Sequence, residues 1–336
     1  MRSSILALLL AAAPVSAQPT TIRVWGFDGM QPLLLRWEAA YHKAHPDVVF
    51  TNSLKGSASA MAGLYNGVAD LVVMGREIWP VDTMAYHWVF QRQPFGITVL
   101  TAGLNAPAQA FTPVIVVNAK NPLTSVSLAQ LDAIYGSEHR AAETNARTWG
   151  DLGLTGDWAS RPIHPYGYGP EDALGVYFRH DVLRADFKPN PDSRLLSDRD
   201  PMPASKASAA KRIAAAVAQD AESIGYTSAV TLSPGLKAIP VEAPDQAPVP
   251  ATEQTLVDHA YPLTRGLSFF INRAHNLALP ASLEGFLRFV LSPEAQSSVL
   301  PAEGFLPLST DQARHEIQRL EAPMPPEPKN AAAEEK

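Results

Sequence analysis

The sequence predicts an α/β fold with largely parallel sheets flanked by helices and divided into about two domains. Its 336 residues are 46% hydrophobic, which is enough to bury a substantial core in each domain. Short apolar runs alternate along the chain with glycine-containing loops and with segments of helical periodicity. This alternation is typical of βαβ units, in which helices cover both faces of a sheet.

The first part of the chain shows the alternation most clearly. Leu33, Trp37 and Tyr41 fall on one face of a helical segment, and Pro32 suits its first turn. The continuous apolar run that ends at Met74 predicts a buried strand. Strands are predicted over 21–26, 48–51 and 69–74, and helices over 32–45 and from the glycine loop at 55–59 to residue 66.

The remainder of the chain repeats these patterns at less regular intervals. Strands are predicted over 114–118, from 223 and over 267–272, a glycine loop over 165–169, and helices over 128–135, 204–221, 283–291, 293–300 and through 176–178. Residues 243–250 contain three prolines and no periodicity, which predicts a linker. The tail from residue 322 is proline-rich and then charged, and we expect it to be disordered.

The first 17 residues have the pattern of a secretory signal peptide. Arg2 forms a short basic region, an apolar run follows, and 15–17 is a small-residue cleavage site. Cleavage is therefore predicted after Ala17. We find no later apolar run of about 18 residues, so the mature protein is predicted to be exported without membrane insertion.

Composition and motifs exclude several classes of function. The formal net charge of −6 argues against a nucleic-acid partner, and the absence of cysteine excludes disulfides, thiolate catalysis and a lipidated N-terminal Cys. Serine-hydrolase, nucleotide-binding and zinc-protease motifs are missing, and the acidic patch at Asp192, Asp198 and Asp200 lacks the spacing of a calcium loop. We therefore predict a non-enzyme without metal or cofactor.

Three glycine loops suggest an anion site. Each follows a predicted strand and opens a helix, over 26–30, 56–59 and 167–172. The first turn of a helix carries N–H groups without intrahelical partners and the positive end of the helix dipole. Arg76, just after a strand, adds a guanidinium that can bind an oxyanion through two N–H groups. Glycine loops are also the ordinary way in which a strand turns into a helix, and that alternative stays open.

The order of short segments along the chain resembles the PstS-like substrate-binding proteins of phosphate ABC transporters, a branch of the type II periplasmic binding protein fold. The segments that carry the resemblance are GFDGMQPLL at 26–34, KGSAS at 55–59, ADLVVMGRE at 69–77, NPL at 121–123, WGDLG at 149–153, SIGY at 223–226, YPLTR at 261–265, FLRFVLS at 286–292 and EGFLPL at 303–308. Each segment is short, and their common order over about 290 residues makes the resemblance specific for the fold.

This resemblance implies two α/β lobes with mixed, mostly parallel sheets, joined by two hinge strands and closing on a ligand. Lobe I would comprise residues 18–115 and 236–320, and lobe II residues 116–235, with the tail at 321–336 outside both. It also implies a monomeric protein of the periplasm that captures phosphate or another small oxyanion and delivers it to an ABC transporter permease.

Carried over residue by residue, the family's ligand loops fall on Gly26, Phe27, Asp28, Gly29, Met30, Gly56, Ser57, Ala58, Ser59, Gly75, Arg76, Tyr168, Asp172, Ala173 and Leu174. Several hydroxyls of the family pattern are missing. Its G-S-[DG]-T-M loop has Phe27 and Gly29 here at the Ser and Thr positions, and its M-S-R has Gly75 at the Ser position. Its lobe II loop, Y-G-R-x-x-x-S-G-T, has Tyr168 at the Arg position and Asp-Ala-Leu at 172–174.

These departures predict weaker phosphate binding, because lobe II loses a guanidinium and gains a carboxylate. A carboxylate can still accept the proton of hydrogen phosphate, a role open to Asp28 or Asp172. Three hypotheses therefore remain. The protein binds phosphate or a related oxyanion for transport; or the same fold takes a different small ligand, with Phe27 and Tyr168 as walls; or it is a secreted sensor or scaffold without phosphate.

Overall fold

The computed structural model describes residues 19–142, 144–186, 188–200, 207–275 and 277–324. Its strands are β1 (Thr20–Gly26), β2 (Val48–Leu54), β3 (Leu71–Val73), β4 (Phe95–Thr101), β5 (Val114–Asn118), β6 (Val126–Ser127), β7 (His164–Tyr168), β8 (Arg194–Leu196), β9 (Ser223–Thr227), β10 (Leu236–Ile239), β11 (Val241–Glu242) and β12 (Gly266–Ile271). Its helices are α1 (Gln31–Ala44), α2 (Ser57–Tyr65), α3 (Pro80–Phe90), α4 (Leu128–Tyr135), α5 (Ala173–Tyr177), α6 (Ala209–Gln219), α7 (Glu253–Val257), α8 (Ala281–Val290), α9 (Pro293–Val299) and α10 (Thr310–Glu321). The predicted signal peptide and residues 325–336 of the predicted tail lie outside the described residues.

Two five-stranded sheets form the framework and confirm the predicted α/β class with mixed sheets. The first has the order β2-β1-β3-β12-β4, and the second the order β10-β5-β9-β7-β8. In each sheet two pairings are parallel and two are antiparallel, so the parallel share is smaller than the alternation predicts. We call the half built on the first sheet lobe I and the half built on the second sheet lobe II.

The chain passes between the lobes twice, through residues 102–113 and 243–265. Neither segment adds a strand to the five-stranded sheets, although the resemblance implies hinge strands, and the second contains α7. Both contain prolines, which cannot donate to a strand ladder. Because β10 pairs with β5, and β11 with β6, lobe II extends beyond residue 235, where the resemblance places the return to lobe I.

Each lobe has its own aromatic packing around the sheet. In lobe I, Trp37 of α1 is fully buried and meets Phe269 edge-on, with ring centroids 5.9 Å apart. In lobe II, Phe178 stacks on Tyr226 at 4.0 Å. Within the described residues, no helix combines the length and the apolar character needed to cross a bilayer.

The segment predicted as the third glycine loop, 165–169, is instead mostly strand β7. Gly167 is needed there for packing, because a Cβ would lie 2.6 Å from the ring of Tyr226. Gly167 therefore suits a close approach between strand and side chain rather than a turn. The loop that opens the following helix begins later, at Gly169.

Candidate ligand-binding cleft

A cleft of about 920 Å³ lies between the lobes. Its walls are the loops that follow β1, β2 and β3 in lobe I, and those that follow β7 and β8 in lobe II. All five are parallel strands, and the carboxyl ends of such strands are where α/β sheets bind ligands. The volume is in the range of small-molecule sites.

About half of the residues predicted for the site lie on the walls of this cleft. They are Phe27, Asp28, Gly56, Ser57, Ala58, Arg76, Asp172 and Ala173. The structure places the others behind the walls or in the core: Gly26, Gly29, Met30, Ser59, Gly75, Tyr168 and Leu174. The cleft therefore brings together predicted loops from both lobes, and the wall of lobe I carries most of them.

The missing hydroxyls of lobe I have a common cause in the position of the Phe27 ring. A Cβ on Gly75 would lie 2.1 Å from this ring, and a Cβ on Gly29 would lie 2.5 Å from it. Both distances are too short for any side chain. The phenyl ring thus fills the space that the Thr and Ser of the family pattern would need, and the three departures form one packing unit.

The N-terminus of α2 gives lobe I its best anion-binding geometry. Gly56 has a φ of 96°, which favours glycine, and its N–H donates to Gly26 O at 2.9 Å. Ser57 Oγ accepts a hydrogen bond from Gly75 N at 3.1 Å, which leaves its own O–H to donate. The first turn of α2 also leaves backbone N–H groups without intrahelical partners.

Arg76 is held in a fork by Asp82. Its Nη1 and Nη2 donate to the two carboxylate oxygens at 2.6 and 3.0 Å, and Nη1 also donates to Glu77 O at 2.8 Å. Asp82 caps α3 by accepting from Trp79 N at 2.8 Å. The Arg76 side chain is 12% exposed and that of Asp82 6%. These bonds use three of the five N–H donors of a guanidinium, and the pair orients Arg76 while offsetting its charge.

In lobe II the charged groups of the wall are mostly carboxylates, with Arg199 as the cation beside them. Asp172 is the N-cap residue of α5 and is 4% exposed. Gln109 Nε2 donates to Asp172 Oδ1 at 3.3 Å and to Asp198 Oδ2 at 2.5 Å. Burial raises the pKa of Asp172, and hydrogen bonds from Ser197 and Gln109 oppose that rise. Lobe II therefore offers hydrogen-bond acceptors where the family pattern has donors.

Tyr168 is placed away from the cleft. It is 1% exposed, and its ring lies 5.6 Å from that of Tyr226. The backbone N–H of Tyr168 donates to Tyr226 Oη at 3.1 Å. Burial raises the pKa of the Tyr168 hydroxyl. The structure thus does not place this ring as a wall of the cleft, because the alternation of β7 turns it into the core of lobe II.

Comparison with known proteins places the chain in a family. The sequence matches the model of the PBP superfamily domain over residues 11–294, which is most of its length. The chain belongs to the PBP superfamily. Within this superfamily it is 28% identical over 298 residues to the phosphate-binding protein PstS of Pseudomonas aeruginosa, which covers 88% of this chain and 85% of that protein.

Solved structures of PBP-type receptors share the fold. PstS from Borrelia burgdorferi matches 87% of this chain and 100% of its own, with a TM-score of 0.59 and 15% identity. An ABC-type phosphate transport receptor from Vibrio cholerae matches 85% of this chain and 99% of its own, with a TM-score of 0.57 and 18% identity. At these identities the likeness establishes the two-lobed architecture and leaves the ligand to the residues of the cleft.

The charged residues that line this PBP-type cleft are mostly acidic. They comprise five carboxylates, Asp28, Asp82, Glu171, Asp172 and Asp198, and three cations, Lys55, Arg76 and Arg199. Among the described residues, the group of His164, Asp220 and Glu222 has metal-ligand types within 4.8 Å, but it lines no part of the cleft. His164 Nδ1 contacts Asp220 Oδ2 at 2.7 Å, and Glu222 Oε1 lies 3.9 Å from Arg161 Nη1, so contacts within the protein account for these side chains.

Sequence reasoning missed several residues of the cleft. Gln109 lies in an irregular segment, A-P-A-Q-A, and no motif marks it. Asp198 belongs to the acidic patch of the sequence analysis, which was not assigned to the cleft, and Arg199 was not singled out. Both follow β8, a three-residue strand that the sequence analysis did not predict. Trp79 reaches across to lobe II, where the Arg179 guanidinium lies 4.7 Å from its ring.

Proposed function

We propose that the protein captures phosphate or a related small oxyanion in the cleft, in the periplasm, and delivers it to an ABC transporter permease. The observation that carries this proposal is the wall of lobe I. There the Ser57 hydroxyl, the first turn of α2 and the Arg76 guanidinium line the same cleft. The relative at 28% identity, which covers most of the chain, is named as a phosphate-binding protein and supports it.

The chemistry of this wall suits an anion in three ways. Backbone N–H groups at a helix N-terminus and the helix dipole favour negative charge. A guanidinium already oriented by Asp82 loses little freedom when it binds a ligand. Asp28, which is exposed on the cleft wall, can accept the proton of hydrogen phosphate.

The cellular setting of the proposal rests on sequence and relatives. The predicted signal peptide at 1–17 supports export, and the named phosphate transport receptors that share the fold support a permease as partner. We assign a binding role rather than an enzymatic one. Ligand delivery needs two lobes and a cleft, and both are present.

A second candidate function is capture of a neutral or cationic small ligand. The excess of carboxylates over cations around the cleft favours it. Asp172 and Asp198 of lobe II would then accept hydrogen bonds from the ligand. This alternative keeps the fold and the transport role and changes only the chemical class of the ligand.

Titration calorimetry separates the two candidates. The chain from residue 18 is unfolded and refolded to remove carried ligand, and the absence of cysteine avoids disulfide errors during refolding. Phosphate is then added at pH 7, with arsenate and sulfate as competitors. Micromolar or tighter binding that arsenate blocks is expected. No heat up to millimolar phosphate would reject the oxyanion and favour the second candidate.

A further inference from the structure

The side chain of Gln109 occupies the part of lobe II where the family pattern places its ligand loop. Its Nε2 lies between two carboxylates, 3.3 Å from Asp172 Oδ1 and 2.5 Å from Asp198 Oδ2. Its Oε1 accepts a longer contact from Leu174 N at 3.4 Å. One amide thus engages both acceptors and a backbone donor at the start of α5.

The backbone that presents Gln109 is held in an uncommon conformation. Ala108 and Gln109 have φ values of 50° and 65°, a region that residues other than glycine rarely adopt. Arg265, whose side chain is fully buried, donates from Nη1 to Gln109 O at 3.0 Å and to Phe111 O at 2.9 Å. Its Nε and Nη2 are paired with Glu77 of lobe I. The first segment that crosses between the lobes, residues 102–113, is therefore anchored to lobe I, while the side chain of its Gln109 reaches lobe II.

From this geometry we infer that Gln109 is a specificity-determining residue, which covers the carboxylates of lobe II so that the cleft accepts an anion. The inference rests on the proposed oxyanion function and adds to it. A carboxylate that faces an anion without a donor between them opposes binding. The amide of Gln109 supplies that donor, and it explains how an anion site tolerates Asp172 at the family's Ser position.

The test compares phosphate affinity in four proteins by calorimetry. Gln109→Ala should bind phosphate at least tenfold more weakly than the parent. The control Gln254→Ala removes an equivalent amide–carboxylate contact, Gln254 Nε2 to Asp258 Oδ2 at 2.8 Å, and should bind within twofold of the parent. Adding Asp172→Asn to Gln109→Ala should restore affinity to within threefold of the parent. Asn carries no charge and is, like Asp, a preferred N-cap residue.

A second readout does not depend on the ligand. Carbodiimide with an amine nucleophile labels accessible carboxyl groups, and peptide mapping reports labelling at Asp172. Labelling should rise several-fold in Gln109→Ala and stay at the parent's level in Gln254→Ala. Unchanged labelling, parental affinity in Gln109→Ala, or no rescue by Asp172→Asn would each overturn the inference. If the parent itself fails to bind phosphate, the proposed function fails, and the labelling alone decides whether Gln109 covers Asp172.

Discussion

The two walls of the cleft differ in the kind of group that they present. In lobe I, Ser57 and the first turn of α2 offer hydrogen-bond donors, and Arg76 is oriented by a carboxylate partner. In lobe II, Asp172 and Asp198 offer hydrogen-bond acceptors, and Gln109 donates to both. Both lobes line the same cleft. A ligand that contacts both must therefore accept hydrogen bonds from lobe I and donate them to lobe II.

This difference indicates where affinity and closure originate. Donors in lobe I can bind an anion before the lobes close. If the lobes close on the ligand, as the resemblance implies, lobe II adds its contacts at that step, and those contacts are favourable only where Gln109 or a protonated ligand lies between the charges. Binding energy should therefore depend mainly on lobe I, and selectivity on lobe II. Variants that damage one wall at a time test this division.

The largest effect is expected for Arg76→Ala. It removes the only guanidinium that we assign to the ligand, and phosphate affinity should fall more than 100-fold, about 3 kcal/mol. It also leaves Asp82 buried without its partner, which should lower the free energy of unfolding by about 3–5 kcal/mol. Calorimetry and urea denaturation measure the two losses separately.

A second change distinguishes the loss of phosphate affinity from the loss of stability. Asp82→Asn in the Arg76→Ala background removes the unpaired charge, so stability should largely return while phosphate binding stays lost. Retained phosphate affinity in either variant would show that Arg76 does not contact the ligand. The assignment of most of the binding energy to lobe I would then be wrong.

The packing unit around Phe27 gives the next largest effect. Gly75→Ser forces a Cβ to within 2.1 Å of the Phe27 ring, and overpacking of this kind costs about 1–3 kcal/mol. Adding Phe27→Ser removes the ring. The double variant should therefore lose less free energy of unfolding than the sum of the losses in the two single variants. Urea denaturation of the four proteins of this cycle measures the coupling, and additive losses would contradict the packing unit.

How much of this architecture follows from the sequence depends on how local its causes are. The strand at 114–118 and the helix at 128–135 were predicted with the observed bounds. The strand is a continuous apolar run, and Ser127 and Gln130 form a reciprocal cap at the start of the helix. Helices α3 and α10 and strand β4 were not predicted, although Ser309 and Gln312 form the same kind of cap before α10.

The cleft shows the limit of sequence reasoning more clearly. The loops of lobe I were predicted because each follows a strand and contains glycine. The fork of Asp82 on Arg76 spans only six residues, yet its partner choice depends on where α3 begins. Gln109 reaches residues 63 and 89 positions away, and only the folded arrangement of both lobes brings these groups together.

Lobe I also contains a buried carboxylate, Glu38, whose raised pKa predicts a pH-dependent stability. Glu38 lies on α1 and is 8% exposed. Burial raises its pKa from 4.5 to about 7, and a hydrogen bond from Asn52 opposes that rise. The folded state therefore holds its proton more tightly than the unfolded state. Stability should fall as the pH rises from 4.5 to 7, with the full penalty above 7.

Glu38→Gln removes this penalty. At pH 8 the variant should be more stable than the parent by about 2–3 kcal/mol, and near pH 4.5 the two should be equal. Urea denaturation at both pH values measures this, with Glu253→Gln on the exposed face of α7 as control. A stability difference that does not change with pH would show that Glu38 is ionised in the folded protein throughout.

The smallest effect is expected for Ser57→Ala. The change removes one hydroxyl donor from the wall of lobe I, which should weaken phosphate binding by about 1 kcal/mol. It also removes the acceptor of the Gly75 N–H. Phosphate affinity should fall about fivefold, with little loss of stability. Ser297→Ala, on the exposed side of α9, is the matched control and should bind phosphate like the parent. An unchanged affinity for Ser57→Ala would place the anion away from the start of α2, and the donors of lobe I would then reduce to Arg76.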